Sequence, residues 1–186
     1  MFSIRPRPLL LAFVLLLSGA AAYAQSSGSA GIGDTYFPAL GNGGYDVQHY
    51  TIVLDVDVTA ETITGETTIT AQATESLSSF NLDYQGPEIS SVSVNDAPAS
   101  FSQSDGELII QPEAALDADE AFTVIVAYGG TASQLANPTS FASLGWIPTR
   151  DGFAALGEPS GSSSWYPVNE HPLDKATYTF ELTVAD

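Results

Sequence analysis

Strict period-two alternation, repeated in short runs, is the feature that most constrains what this sequence can fold into. Tyr50, Ile52, Leu54, Val56 and Val58 share one parity, while Thr51, Asp55 and Asp57 hold the other. Side chains two residues apart on an extended chain point to the same side. Such a run is therefore a strand with one face in a core and one in water. Ile63, Thr67, Ile69 and Ala71 repeat the pattern, as do Phe80, Leu82 and Tyr84. Val92 and Val94, then Leu108 and Ile110, then Phe122, Val124, Val126 and Tyr128 continue it. Tyr178, Phe180, Leu182 and Val184 alternate with Thr177, Thr179, Glu181 and Thr183 to give the last and clearest run. Turn-forming residues fall between the runs: Thr59 to Thr62, Gly86-Pro87, Asn95-Asp96, Asp105-Gly106, Pro112 and Gly129-Gly130. Asp105-Gly106 is the strongest hairpin signal, because primed turns demand positive φ. No window sustains a long helical period. Short strands at roughly 8–12-residue spacing predict an all-β fold, an antiparallel β-sandwich, rather than alternating strands and helices.

The first residues stand outside this pattern. Arg5 and Arg7 precede the apolar run Leu9–Leu17, and Ala22-Tyr23-Ala24 supplies small residues two apart before Gln25. That is the plan of a secretory signal peptide over residues 1–24, too short in its apolar part for a comfortable bilayer span of about 20 residues. The expected location is secreted or extracytoplasmic. Residues 25–40 are rich in Ser and Gly at their start and read as a flexible leader; the domain itself is expected over residues 41–186. Thr131–Pro172 is expected to be a long irregular segment, held by Trp146, Pro148, Trp165, Tyr166 and Pro167. The chain stops at Asp186 directly after a strand, which is the expectation for a piece of something longer.

Charge excludes some functions. Loss of residues 1–24 would leave only Arg150 and Lys175 against 22 Asp and Glu. Such a surface repels phosphate backbones and anionic lipid; composition alone reads as solubility or a salt-rich habitat ahead of a preference for cationic ligands such as peptide N-termini. With no cysteine there is neither a disulfide nor a thiolate metal site.

Chemistry-bearing motifs are sparse. His49 and His171 are the only histidines, and no His-Glu-x-x-His is present. A lone histidine gives at most one of the three protein ligands that catalytic zinc usually needs, so His49 reads as a surface or edge-strand residue. Ser162, Ser163 or Ser164 with His171 and Asp174 would be the members of a hydrolytic triad, but no Gly-x-Ser-x-Gly elbow accompanies them. Asp117-Ala118-Asp119-Glu120 lacks the ligand spacing of a calcium loop and reads as a solvated acidic turn.

Two stretches, taken together, resemble a known family. The first is Gly41-Asn42-Gly43-Gly44-Tyr45-Asp46-Val47-Gln48-His49-Tyr50, with the following strands and Gly65. The second is Glu158-Pro159-Ser160-Gly161, then Trp165-Tyr166-Pro167-Val168-Asn169-Glu170-His171-Pro172, then Asp174-Lys175-Ala176-Thr177-Tyr178. The chain is similar here to the N-terminal domain of the zinc aminopeptidases typified by aminopeptidase N, over about residues 40–186. It departs from them at Leu156, where many relatives place Gln, and at Glu170, where Asp is usual. The resemblance implies a saddle-like β-sandwich that packs on a thermolysin-like catalytic domain. Zinc is expected only in that missing catalytic domain, so the chain has no cofactor or catalytic residue of its own and is expected to be inactive alone. The resemblance also implies one substrate contact: Glu158 would bind the free N-terminal amine of a peptide. The competing expectation is a standalone secreted sandwich used for binding or adhesion, with no apolar docking face.

Overall fold

The computed structural model describes residues 25–136, 143–158 and 160–184. The expected signal segment, Pro159 and Asp186 lie outside them. The described residues form strands β1 (Ser26–Ser27), β2 (Tyr45–Asp57), β3 (Thr62–Ala73), β4 (Leu77–Asp83), β5 (Glu88–Val94), β6 (Ala97–Pro98) and β7 (Ser100–Ser104). After these come β8 (Glu107–Gln111), β9 (Ala121–Gly130), β10 (Gln134–Ala136), β11 (Ser143–Pro148), β12 (Phe153–Leu156) and β13 (Thr177–Val184). A single 3-10 turn, Ser162–Ser164, is the one helical element among the described residues.

Three sheets result, in the orders β13-β2-β3-β9-β5-β6, β1-β4-β8-β7 and β10-β11-β12. The six-stranded and four-stranded sheets enclose the core, and the alternation explains how. Ile52, Leu54 and Val56 of β2, Ile63 and Ile69 of β3, and Val124 and Val126 of β9 are buried, as are Phe80 and Leu82 of β4 and Leu108 and Ile110 of β8. Aromatic rings join the sheets: Phe80 lies 5.7 Å from Tyr45 and 5.4 Å from Phe122, and Tyr84 lies 5.8 Å from Tyr128, centroid to centroid. The chain is thus the all-β sandwich that the pattern predicts. Asp105 and Gly106, at φ 55° and 90°, make the expected β7–β8 turn, and Asn95 and Asp96 at φ 49° and 64° make the β5–β6 turn.

Three features differ from the expectation. First, β13 runs parallel to β2, and β1 parallel to β4, so the sandwich is not wholly antiparallel. Second, Tyr45 and Val47 are buried along with Tyr50 and Ile52, although the two pairs have opposite parity. A register shift between Val47 and His49 inserts one residue and turns the strand, so both phases face the core. Third, the segment expected to be irregular carries β10, β11, β12 and the 3-10 turn. Ser26 and Ser27, expected in a loose leader, pair with β4, and the Gly28 N–H donates to the Ser79 carbonyl at 2.8 Å.

The edge strand β13 is exposed along its whole length. In register, Tyr178, Phe180, Leu182 and Val184 stand beside Tyr50, Ile52, Leu54 and Val56. Those partners are at most 7% exposed, whereas the β13 residues are 43%, 49%, 59% and 57% exposed. The apolar face of the six-stranded sheet therefore continues one strand beyond the layer that covers it. Among the described residues no helix is long and apolar enough to cross a membrane.

Candidate functional site

The loop after β12 carries Glu158, whose side chain is exposed. Its upstream anchor is β12, paired antiparallel with β11 from Gly145↔Leu156 to Pro148↔Phe153. Its downstream anchor is Gly161, packed against the β11–β12 ribbon so tightly that a Cβ there would sit 2.4 Å from the Leu156 carbonyl oxygen and 2.7 Å from the Gly145 nitrogen. Both neighbours are backbone and cannot step aside. Gly161→Ala is therefore expected to destabilise the chain by about 2–3 kcal/mol, as overpacking does, measured by urea unfolding.

Glu170 holds the turn that follows. Its Oε1 accepts hydrogen bonds from the Gly161, Ser162 and Ser163 N–H groups, and its Oε2 accepts the Ser163 hydroxyl at 2.6 Å. Several N–H groups converging on one carboxylate oxygen form a strong, charge-assisted arrangement. The Ser164 hydroxyl donates to the Gly161 carbonyl at 2.8 Å and accepts from the Trp146 N–H at 3.1 Å, which ties the turn to β11. Trp146, Trp165 and Tyr166 pack in sequence at centroid distances of 5.4 and 4.5 Å.

Beneath the turn lies a buried polar layer. The Asp83 carboxylate accepts from the Gly41 N–H at 3.2 Å, Asn42 Nδ2 at 3.2 Å and the Glu170 N–H at 2.8 Å. Its backbone exchanges two bonds with Val168. Burial pushes the Asp83 carboxyl up to about 7; the Glu170 N–H opposes that shift, and the Glu107 charge adds to it. Asn169 accepts from the Asn42 N–H through Oδ1 at 2.7 Å, and its own N–H donates to the Tyr50 hydroxyl at 2.9 Å. Asp174 accepts from the Val47 N–H at 3.1 Å and from Asn169 Nδ2, and burial raises its carboxyl above the ordinary value. The run Asn169–Asp174 that carried the family resemblance is thus a set of pins joining the loop to β2, β4 and the Gly41–Asn42 turn.

The structure also places the other candidates. Ser163 and Ser164 spend their hydroxyls on Glu170 and Gly161, His171 Nε2 faces Asp34 Oδ2 at 3.3 Å, and Asp174 faces Val47 and Asn169. No hydrogen bond links a serine to His171 among the described residues, so the triad does not form. His49 is not at an edge, since β2 lies between β3 and β13; its ring nitrogens meet the Thr177 and Thr179 hydroxyls at 2.7 and 3.1 Å. In the acidic turn, Glu120 accepts from the Asp117 N–H at 2.8 Å, which closes the turn on itself. Among the described residues, no group of three or more His, Asp or Glu is arranged to hold a metal ion. A cleft of about 190 Å³ adjoins the Glu158 loop, bordered by Gly157, Ser162, Tyr166, Asp174 and Tyr178.

Asp83, Glu107 and Asp34 are not singled out by the sequence pattern. For Asp83 the reason is that alternation assigns it to the water face of β4. A signal existed in Phe80-Asn81-Leu82-Asp83-Tyr84, where both polar residues sit between large apolar ones.

The pattern of the Peptidase M1 N-terminal domain matches residues 46–186. No curated protein matches the chain. Among solved structures, the M1 zinc metallopeptidase of Deinococcus radiodurans, in a mutant form bound to the substrate Tyr-Ser-Ala, is 33% identical, with a TM-score of 0.76 over 83% of this chain and 36% of its own. A two-domain M1 zinc metallopeptidase mutant bound to L-arginine is 32% identical, with a TM-score of 0.77 over 83% of this chain and 36% of its own. The chain thus spans little more than a third of the enzymes it matches. The fold agrees with the match, and the chain belongs to the M1 zinc metallopeptidase family, as its N-terminal domain.

Proposed function

We propose that this chain serves as the non-catalytic N-terminal part of a secreted M1-type zinc aminopeptidase, lining the groove that receives the free N-terminus of a peptide. Zinc and the general base would come from a thermolysin-like catalytic domain, the partner of this sandwich. The observation that carries the reading is the exposed Glu158 on a loop fastened at both ends beside an open cleft. A fixed carboxylate pairs with an ammonium group, and cationic side chains that would compete for it are scarce in this chain. Export through residues 1–24, and the chain's being one part of a longer enzyme, belong to the same proposal.

The half-exposed apolar row on β13 supports a packing partner over a self-sufficient binding module. Four large apolar residues in register with a buried row would ordinarily be covered more fully than the Tyr50 and Trp165 rings cover them here.

The test uses residues 25–186. L-Tyrosine amide, a probe with a free amine and no carboxylate, is expected to perturb the Glu158 and Ser160 NMR signals. Glu158→Gln is expected to weaken its binding about tenfold, or ~1.4 kcal/mol. No hydrolysis of an L-amino acid nitroanilide is expected, with or without added zinc. Turnover by the metal-free chain, or amide binding indifferent to Glu158→Gln, would defeat the proposal.

A further inference from the structure

We propose that Glu170 is a positioning residue whose buried carboxylate sets where Glu158 stands. The proposal rests on the reading of Glu158 given above, and it adds the element that aims it.

Every hydrogen bond of the Glu170 side chain among the described residues goes to one short segment, Gly161 to Ser163. None goes to the sandwich; its backbone N–H alone is spent on Asp83. The side chain is 8% exposed, so these bonds are made out of water, where they hold most strongly. Glu158 is three residues before Gly161, a span of at most ~11 Å of chain. The Gly161 backbone in turn abuts the Leu156 carbonyl, so Glu158 lies on a connection whose two ends touch. One end is held by the β11–β12 ladder; the other is held by Glu170, with the Ser164 hydroxyl and the Gln85 N–H bonding the same turn from its far side. Loss of the Glu170 carboxylate removes four of the hydrogen bonds at the second end, all of them to the segment that follows Glu158 and none to the strands of the two core sheets. Three N–H groups sharing one oxygen also explain the need for a carboxylate, since a neutral amide oxygen accepts more weakly.

The experiment compares residues 25–186 with Glu170→Ala, Glu170→Gln and Ser163→Ala by 15N relaxation and amide hydrogen exchange. In the parent, the Glu158 and Ser160 N–H groups are expected near the rigid-backbone order parameter of ~0.85. In Glu170→Ala they are expected below ~0.6, with exchange at Gly161 and Ser162 at least tenfold faster and the β3 and β9 amides unchanged. Glu170→Gln and Ser163→Ala should fall between; a merely structural role would move β3 and β9 as well. Should Glu170→Ala not fold, the two milder variants decide by the same measurements. Unchanged order at Glu158 and Ser160, or loosening spread evenly through the sandwich, overturns the proposal. Binding of L-tyrosine amide is expected to weaken at least fivefold in Glu170→Ala. If the loop loosens while amide binding ignores Glu158→Gln, the amine reading fails and the positioning role stands.

Discussion

Stability of residues 25–186 is expected to fall as pH rises from 5 to 8, and Asp83→Asn is expected to remove at least half of that fall. Burial holds the Asp83 carboxyl at about 7 in the folded chain, against an ordinary value of 3.8. Between those values the folded chain binds a proton that the unfolded chain has released. Folding is then favoured at the acid end of the window, and the advantage is lost as pH climbs through 7. A shift of that size corresponds to roughly 4 kcal/mol at most. Glu107, also raised by burial, adds to the same slope, and so does Asp174. Among the described residues, Glu107 Oε2 and Asn42 Oδ1 are both buried without a hydrogen-bond partner, and a proton in this layer would relieve such acceptors. Urea unfolding at pH 5, 6, 7 and 8 measures the slope in the parent and in Asp83→Asn. Asp83→Ala is a different perturbation. It strands the Gly41 and Glu170 N–H groups and the Asn42 amide, and is expected to cost about 3 kcal/mol or more at every pH. A flat pH profile in the parent would show that Asp83 stays ionised in the folded chain.

The same residue shows where sequence reasoning reached and where it stopped. Alternation reports one thing, which side of a strand is apolar. For β3 and β9 that suffices, because each is flanked by strands and faces one core; Ile63, Ile69, Val124 and Val126 lie where the period puts them. It fails at Asp83 because the second face of β4 is covered by a segment more than eighty residues away, Val168 to Glu170, through hydrogen bonds that leave no periodic trace. It fails at β13 in the opposite sense. The period names an apolar row correctly, but among the described residues the row is left about half exposed, and no sequence period records whether a neighbouring layer arrives. The bulge at Gln48 was legible in the phase change from Tyr45 and Val47 to Tyr50 and Ile52. The residues of the landmark run were legible only through the family resemblance. Their geometry adds a division of labour: Asn169, Glu170, His171 and Asp174 face inward, and Glu158 outward.

Tyr50 is where that inward-facing run meets the core, so its truncation is expected to have the largest effect on stability of any single change named here. The ring is 1% exposed, stacks on Tyr178 at 4.9 Å and meets the edge of Tyr166 at 6.2 Å. Its hydroxyl accepts from the Asn169 N–H at 2.9 Å, and burial pushes that hydroxyl far above the ordinary tyrosine range, so it stays neutral. Tyr50→Phe keeps the packing and leaves one buried N–H without an acceptor, an expected loss of about 1–2 kcal/mol. Tyr50→Ala removes the ring as well and opens a cavity between β2, β13 and the 166–169 segment, an expected loss of about 4–5 kcal/mol. Domains of this size are stable by roughly 5–15 kcal/mol, so the alanine variant stands near the edge of folding. The two variants separate the terms: the difference between their urea midpoints measures the ring, and the shift of Tyr50→Phe measures the link to Asn169. Because that link lies between β2 and the pins under Glu158, Tyr50→Phe is also expected to quicken amide exchange at Asn169 before any change appears at β3. If Tyr50→Ala cost less than about 2 kcal/mol, the 166–174 segment would have to be held chiefly by Asp83 and Asn42, and the stack on Tyr178 would count for little.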